Sequence, residues 1–167
     1  MIQLSFFKNK IVDYGEKKSC AFTGHRQLGE DFSLKKLKKS IKTLIEQGVD
    51  TFYNGMAMGF DLAAAEMVLI LKKKYKNIKL IACIPCYGQE KYFSKEDKLR
   101  YVNILEKADE QITLAEHYYT GCMQKRDRYM VDHADWLITY CKTTTGGTAY
   151  TVNYFLSQKS EENIIYL

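Results

Sequence analysis

The chain has 167 residues, 46% of them hydrophobic, which is enough for the core of one domain and too short for two. Its net charge of +5 is modest, and no apolar run reaches transmembrane length or forms a leader with a small-residue cleavage site. Five cysteines, an odd number, argue for reduced thiols in a cytoplasm rather than a disulfide framework.

Residues 1–17 do not fit the pattern that follows. They read as an N-terminal extension, an extra strand or a hairpin with a turn at Tyr14-Gly15. From residue 18 onward, short apolar runs alternate with longer helix-periodic stretches. That alternation is the signature of crossover helices on a parallel sheet. Strands are predicted at Ser19 to Phe22, Thr51 to Tyr53, Ile78 to Ile84, Glu110 to Leu114, Trp136 to Cys141 and Ile164 to Leu167. Helices are predicted at Leu34 to Gln47, Asp61 to Lys74, Lys95 to Lys107, Gly121 to His133 and Thr148 to Gln158. Ser33 suits the N-cap of the first helix, and Gly48 its C-terminal end. In that helix Leu34, Leu37, Ile41, Leu44 and Ile45 recur at helical spacing, so Lys35, Lys36, Lys38, Lys39 and Lys42 occupy the solvated face. The expected fold is a single Rossmann-like three-layer α/β/α domain with a mainly parallel sheet over residues 18–167.

In such a sheet the ligand sits outside the carboxyl ends of the strands, so the residues after each strand carry the chemistry. After the first come Thr23, Gly24, His25 and Arg26; after the second Asn54, Gly55, Gly59 and Asp61; after the third Pro85; after the fifth Thr144, Thr145, Gly146, Gly147 and Thr148. Thr143 to Thr148 runs into a helix start, where free N–H groups and the helix dipole favour an anion. The same segment also reads as a simple strand-to-helix turn. Arg26 offers a planar fork of donors for a phosphate. Asp61 is either a helix N-terminal acid or an acceptor for ribose hydroxyls or an exocyclic amine. Arg126 falls near the buried side of a helix whose Met123, Met130 and Ala134 would face the sheet, so it needs a carboxylate or a ligand phosphate. Cys83 reads as core and Cys86 as an exposed thiol in the ligand loop; their C-x-x-C spacing has no second pair to make a zinc site.

Taken together these motifs resemble the SLOG superfamily, which joins the DNA-processing protein A (Smf) and lonely-guy groups, and within it the YpsA-like branch of small bacterial and phage proteins. Gly55-x-Ala57-x-Gly59-x-Asp61 is similar to an element of the DNA-processing branch. Thr23-Gly24-His25-Arg26 and Ile84-Pro85-Cys86 with Gly88-Gln89-Glu90 resemble the YpsA-like branch. Met123-x-x-Arg126 and Gly146-Gly147-Thr148 resemble the lonely-guy enzymes, phosphoribohydrolases that cleave nucleoside monophosphates, whose helix arginine serves the active site. Those enzymes carry a glutamate three residues after the loop threonine, where this chain has Thr151. Without that carboxylate the resemblance implies a binding domain rather than an enzyme, holding a nucleotide or an ADP-ribose-like ligand and requiring no cofactor or metal. A hydrolase with a relocated acid, Asp61 or Glu66, is the alternative, and single-stranded DNA binding ranks after it because the lysine runs lie on helices. A homodimer is expected by analogy with related folds, and no membrane partner.

Overall fold

A computed structural model describes residues 19–167. The expectation for residues 1–17 lies outside the described residues. Six strands, β1 Ser19–Gly24, β2 Thr51–Asn54, β3 Lys79–Ile84, β4 Glu110–Thr113, β5 Trp136–Tyr140 and β6 Ile164–Tyr166, form one sheet in the order β4-β3-β2-β1-β5-β6. Every pairing is parallel. Five helices connect them: α1 Leu34–Glu46, α2 Phe60–Lys72, α3 Lys95–Lys107, α4 Cys122–His133 and α5 Gly147–Leu156. This is the Rossmann-like α/β architecture expected from the alternation.

The two faces of the sheet explain the apolar runs. Cys20 and Phe22 of β1 pack with Phe52, Leu80 and Ile138 under α1, α2 and α3, whereas Ala21 lies with Ile81, Cys83 and Leu137 under α4 and α5. Strands buried on both sides cannot alternate apolar with polar, so they read as continuous hydrophobic stretches. Helix α1 begins where Ser33 Oγ accepts from Lys36 N at 3.2 Å, and α3 where Ser94 Oγ accepts from Asp97 N at 3.1 Å. Leu37, Ile41 and Leu44 form the buried stripe of α1, leaving its lysines outside.

Boundaries shift where the neighbour supplies hydrogen bonds. β1 extends past Phe22 because Thr23 and Gly24 pair with Thr139 and Tyr140 of β5. A 3₁₀ turn at Gln89–Tyr92, which periodicity is too short to reveal, follows β3. Cys86, expected exposed, is buried at 3% exposure, and burial raises its thiol pKa. Cys83 is core, its thiol pushed up to about 12 by burial. Among the described residues no helix is long and apolar enough to cross a membrane.

Strand order reverses between β1 and β5: β2, β3 and β4 lie to one side of β1, and β5 and β6 to the other. The loops after β1 and β5 therefore part at this point and leave a crevice above the sheet.

Candidate functional site

The turn from β2 to α2 is held by one side chain. Asn54, at the buried end of β2, accepts from Met56 N through Oδ1 and donates through Nδ2 to Asp61 O, both at 2.8 Å. Met56 adopts a left-handed φ of 59°, which this clamp stabilises. Gly59, at φ +79°, lies so close to the loop after β1 that an added Cβ would fall 2.2 Å from Arg26 O. Phe60 N completes the contact by donating to His25 O at 3.1 Å. A Cβ on Gly24 would meet the Phe60 ring at 2.3 Å, and one on Gly55 would meet Arg126 Nη1 at 2.7 Å. These three glycines are explained by the protein's own packing. Gly146 and Gly147 have nothing within 4 Å of an added Cβ and border open space at the start of α5.

Behind these turns lies a buried charged group. Arg126 on α4 is 6% exposed; its Nε donates to Asp127 Oδ1 at 2.7 Å and its Nη1 donates to Gly55 O. Burial opposes the guanidinium charge, but the Asp127 and Asp61 carboxylates outweigh it and hold its pKa above the ordinary arginine value. Asp61, 5% exposed, accepts from Ala57 N through Oδ2 at 3.3 Å, while Oδ1 is buried with no hydrogen-bond partner among the described residues. Burial pushes the Asp61 carboxyl up to about 7, partly offset by Arg126 and the Ala57 N–H. His25 Nε2 accepts from Lys142 N at 2.7 Å, which places the proton of the neutral ring on Nδ1 and ties the loops after β1 and β5 together.

These elements enclose a cavity of about 290 Å³, walled by Thr23, Gly24, His25 and Arg26 after β1, Ala57 and Asp61 after β2, Met123, Arg126 and Asp127 of α4, and Gly147 and Thr148 of α5. It occupies the crevice where strand order reverses. Arg26 is exposed at the mouth and makes no side-chain hydrogen bond or ion pair among the described residues. Asn54, Gly55 and Gly59 shape the wall from behind. Thr144, Thr145 and Gly146 are exposed on the β5–α5 loop, and Pro85 is buried outside the wall.

Two expectations are corrected, on Glu66 and Met123, and the structure adds the placement of Thr151. Glu66 is not near the cavity: it faces α3, where Arg100 binds it through Nε at 2.8 Å and Nη2 at 2.9 Å. Met123 is half-buried in the cavity wall rather than packed on the sheet. Thr151, at the position of the lonely-guy glutamate, is fully buried and donates to Gly147 O at 3.0 Å, outside the cavity. Sequence reasoning missed Asp127, the direct partner of Arg126. Consecutive helical residues do not share a face, so spacing gave no signal.

A family model described as the YspA SLOG family, YpsA, matches residues 20–166. The SPbeta prophage-derived protein YoqJ of Bacillus subtilis (strain 168) is 33% identical over 136 residues, 71% of this chain and 80% of that protein. The UPF0398 protein BH1768 of Halalkalibacterium halodurans is 29% identical over 141 residues, 83% and 75% of the two chains. Among solved structures, DNA processing protein A (DprA) from Streptococcus pneumoniae superposes with a TM-score of 0.64 at 19% identity, and DNA processing protein A from Helicobacter pylori with 0.65 at 16%. Each superposition covers 92% of this chain, which spans 51% of the first structure and 66% of the second. At that identity the likeness is one of fold. The family match runs from the second residue of β1 through β6 and takes in the whole cavity wall, and the chain belongs to the YspA SLOG family.

Proposed function

We propose that the protein binds a nucleotide or nucleotide-derived ligand, of the kind represented by ADP-ribose, in the cavity at the β1/β5 divergence. The observation that carries this reading is the cavity itself, walled by the buried acid Asp61 and by Gly147 and Thr148 at the N-terminus of α5. An acidic side chain in the wall suits a donor on the ligand, such as a ribose hydroxyl. The free N–H groups of α5, with room above Gly147, and the Arg26 guanidinium call for an anion. The residues proposed to contact ligand are thus Thr23, Gly24, His25, Arg26, Asp61, Arg126, Gly147 and Thr148.

Binding without hydrolysis is the favoured reading, because Thr151 cannot supply a carboxylate and its side chain is turned into the helix. Titration calorimetry with AMP, ADP and ADP-ribose tests it. Arg26→Ala is expected to lower affinity about ten- to a hundredfold while circular dichroism stays unchanged, since one charge-assisted hydrogen bond is lost. If none of the three ligands binds the wild type, the reading fails.

A second reading has one observation in its favour. Tyr87, Tyr92, Tyr118 and Tyr119 are all exposed in loops after β3 and β4, at the same end of the sheet as the cavity. Exposed aromatic rings stack the bases of single strands. DNA processing protein A from Helicobacter pylori, which shares the fold, has a single-stranded DNA binding mode. Fluorescence anisotropy with a labelled single strand distinguishes the two: this second reading needs binding that weakens steeply with salt and is lost on Tyr87→Ala/Tyr118→Ala.

A further inference from the structure

We propose that the outer groove between α2 and α3 docks an acidic amphipathic helix of a partner protein. This groove lies across the sheet from α4 and α5, and none of its lining residues walls the crevice at the β1/β5 divergence. It encloses about 580 Å³, against about 290 Å³ for the crevice cavity. Its floor is apolar. Leu69 and Ile70 of α2 line it from one side and Ile104 of α3 from the other; Ile104 is fully buried, Leu69 half-buried and Ile70 50% exposed. Two helices packed side by side leave a furrow that the side-chain ridge of a third helix can fill.

Charge names the occupant. Lys73 and Lys76, at and just past the end of α2, and Lys107, the last residue of α3, line the groove and form no ion pair among the described residues. The other ionic residues of the lining are already matched, Lys72 with Asp109 and Glu66 with Arg100. Three ammonium groups therefore border an apolar floor with no unpaired acid in the lining. A helix with one apolar stripe and flanking carboxylates meets both features at once. A nucleic acid fits less well, since among the described residues no aromatic ring lines the groove for a base to stack on. A second copy in a symmetric pair would set the same three lysines against themselves. Residues 1–18, with Lys8, Lys10, Lys17 and Lys18 against Asp13 and Glu16, bring no complementary charge either.

The test is fluorescence anisotropy on the intact chain with a labelled peptide of about 14 residues, long enough to run beside helices of 13. Leucines at helical spacing form one face of the peptide and glutamates its flanks. One control scrambles the order of the same residues, and the other replaces every glutamate by lysine. The expected result is that the acidic amphipathic peptide binds at least about tenfold tighter than either control. Lys73→Gln/Lys76→Gln/Lys107→Gln weakens that binding about tenfold or more, and Ile70→Gln about threefold or more. Melting temperatures stay unchanged, because all four side chains are exposed. Absence of binding, equal affinity for either control, or affinity untouched by the variants each overturns the docking site. Ile70→Gln and the two control peptides decide the matter if the triple variant fails to fold. Sedimentation and anisotropy with a labelled single strand read the other occupants. A wild-type dimer that Ile70→Gln dissociates, or DNA binding tighter than the peptide's and lost in the triple variant, overturns the acidic helix in favour of a second copy or a nucleic acid.

Discussion

Replacing Asp61 by asparagine should change how the stability of this protein depends on pH. The carboxyl has an ordinary value of 3.8 and is raised to about 7 in the folded chain, chiefly by burial, with Arg126 and the Ala57 N–H acting in the opposite direction. A folded-state value above the unfolded one means that folding favours the protonated acid. The contribution is fully present below pH 3.8 and is lost as pH rises to about 7. Each pH unit within that window removes about 1.4 kcal/mol, so roughly three units remove about 4 kcal/mol in all. The asparagine side chain of the variant would be neutral throughout, close to isosteric, and still able to accept from Ala57 N. Urea denaturation of both proteins at a series of pH values reads the difference directly, and every other titrating group cancels in the comparison. Asp61→Asn should gain on the wild type steadily from about pH 4 to pH 7 and hold that gain above it. Parallel stability profiles across this range would refute the reasoning, because they would mean that Asp61 ionises in the fold as freely as in the unfolded chain.

Gly59→Ala should destabilise the protein by about 3 kcal/mol or more, measured by chemical denaturation, because φ is +79° and the new Cβ would meet Arg26 O, a backbone atom, at 2.2 Å. Gly147→Ala should leave the melting temperature unchanged or slightly raised, since nothing lies within 4 Å of the added methyl, yet weaken nucleotide binding in calorimetry by crowding the start of α5. Thr151→Glu should destabilise by about 3 kcal/mol or more rather than create an enzyme, because the site is fully buried and a carboxylate there would lose its hydration. Chromatography should show no free base released from AMP or CMP by either protein. Glu66→Gln should cost at most about 1 kcal/mol, as its pairing with Arg100 is partly solvated at 37% and 31% side-chain exposure, and should not alter ligand affinity.

What the sequence determined was everything that depends on near neighbours along the chain. The alternation of apolar runs with helical periodicity fixed the α/β class and the order of elements, Ser33 marked the start of α1, and the segments that end the strands held many of the residues that wall the cavity. Family membership was legible for the same reason, since Thr23 to Arg26, Gly55 to Asp61 and Met123 to Arg126 are local motifs. Tertiary structure alone decided what those motifs do. The pairing of β1 with β5 brings Gly24 beside Tyr140, and no short-range period encodes a neighbour that far away in the chain. Only packing shows that Gly24, Gly55 and Gly59 make room for Phe60, Arg126 and the Arg26 backbone, while Gly147 faces open space. Burial, likewise a property of the assembled layers, sank Cys86 and Thr151 and raised the Asp61 carboxyl. Which polar groups find partners is settled across strands and helices distant in sequence, and for that reason the pairing of Arg126 with Gly55 O and the burial of an Asp61 oxygen without a partner among the described residues became visible only in the fold.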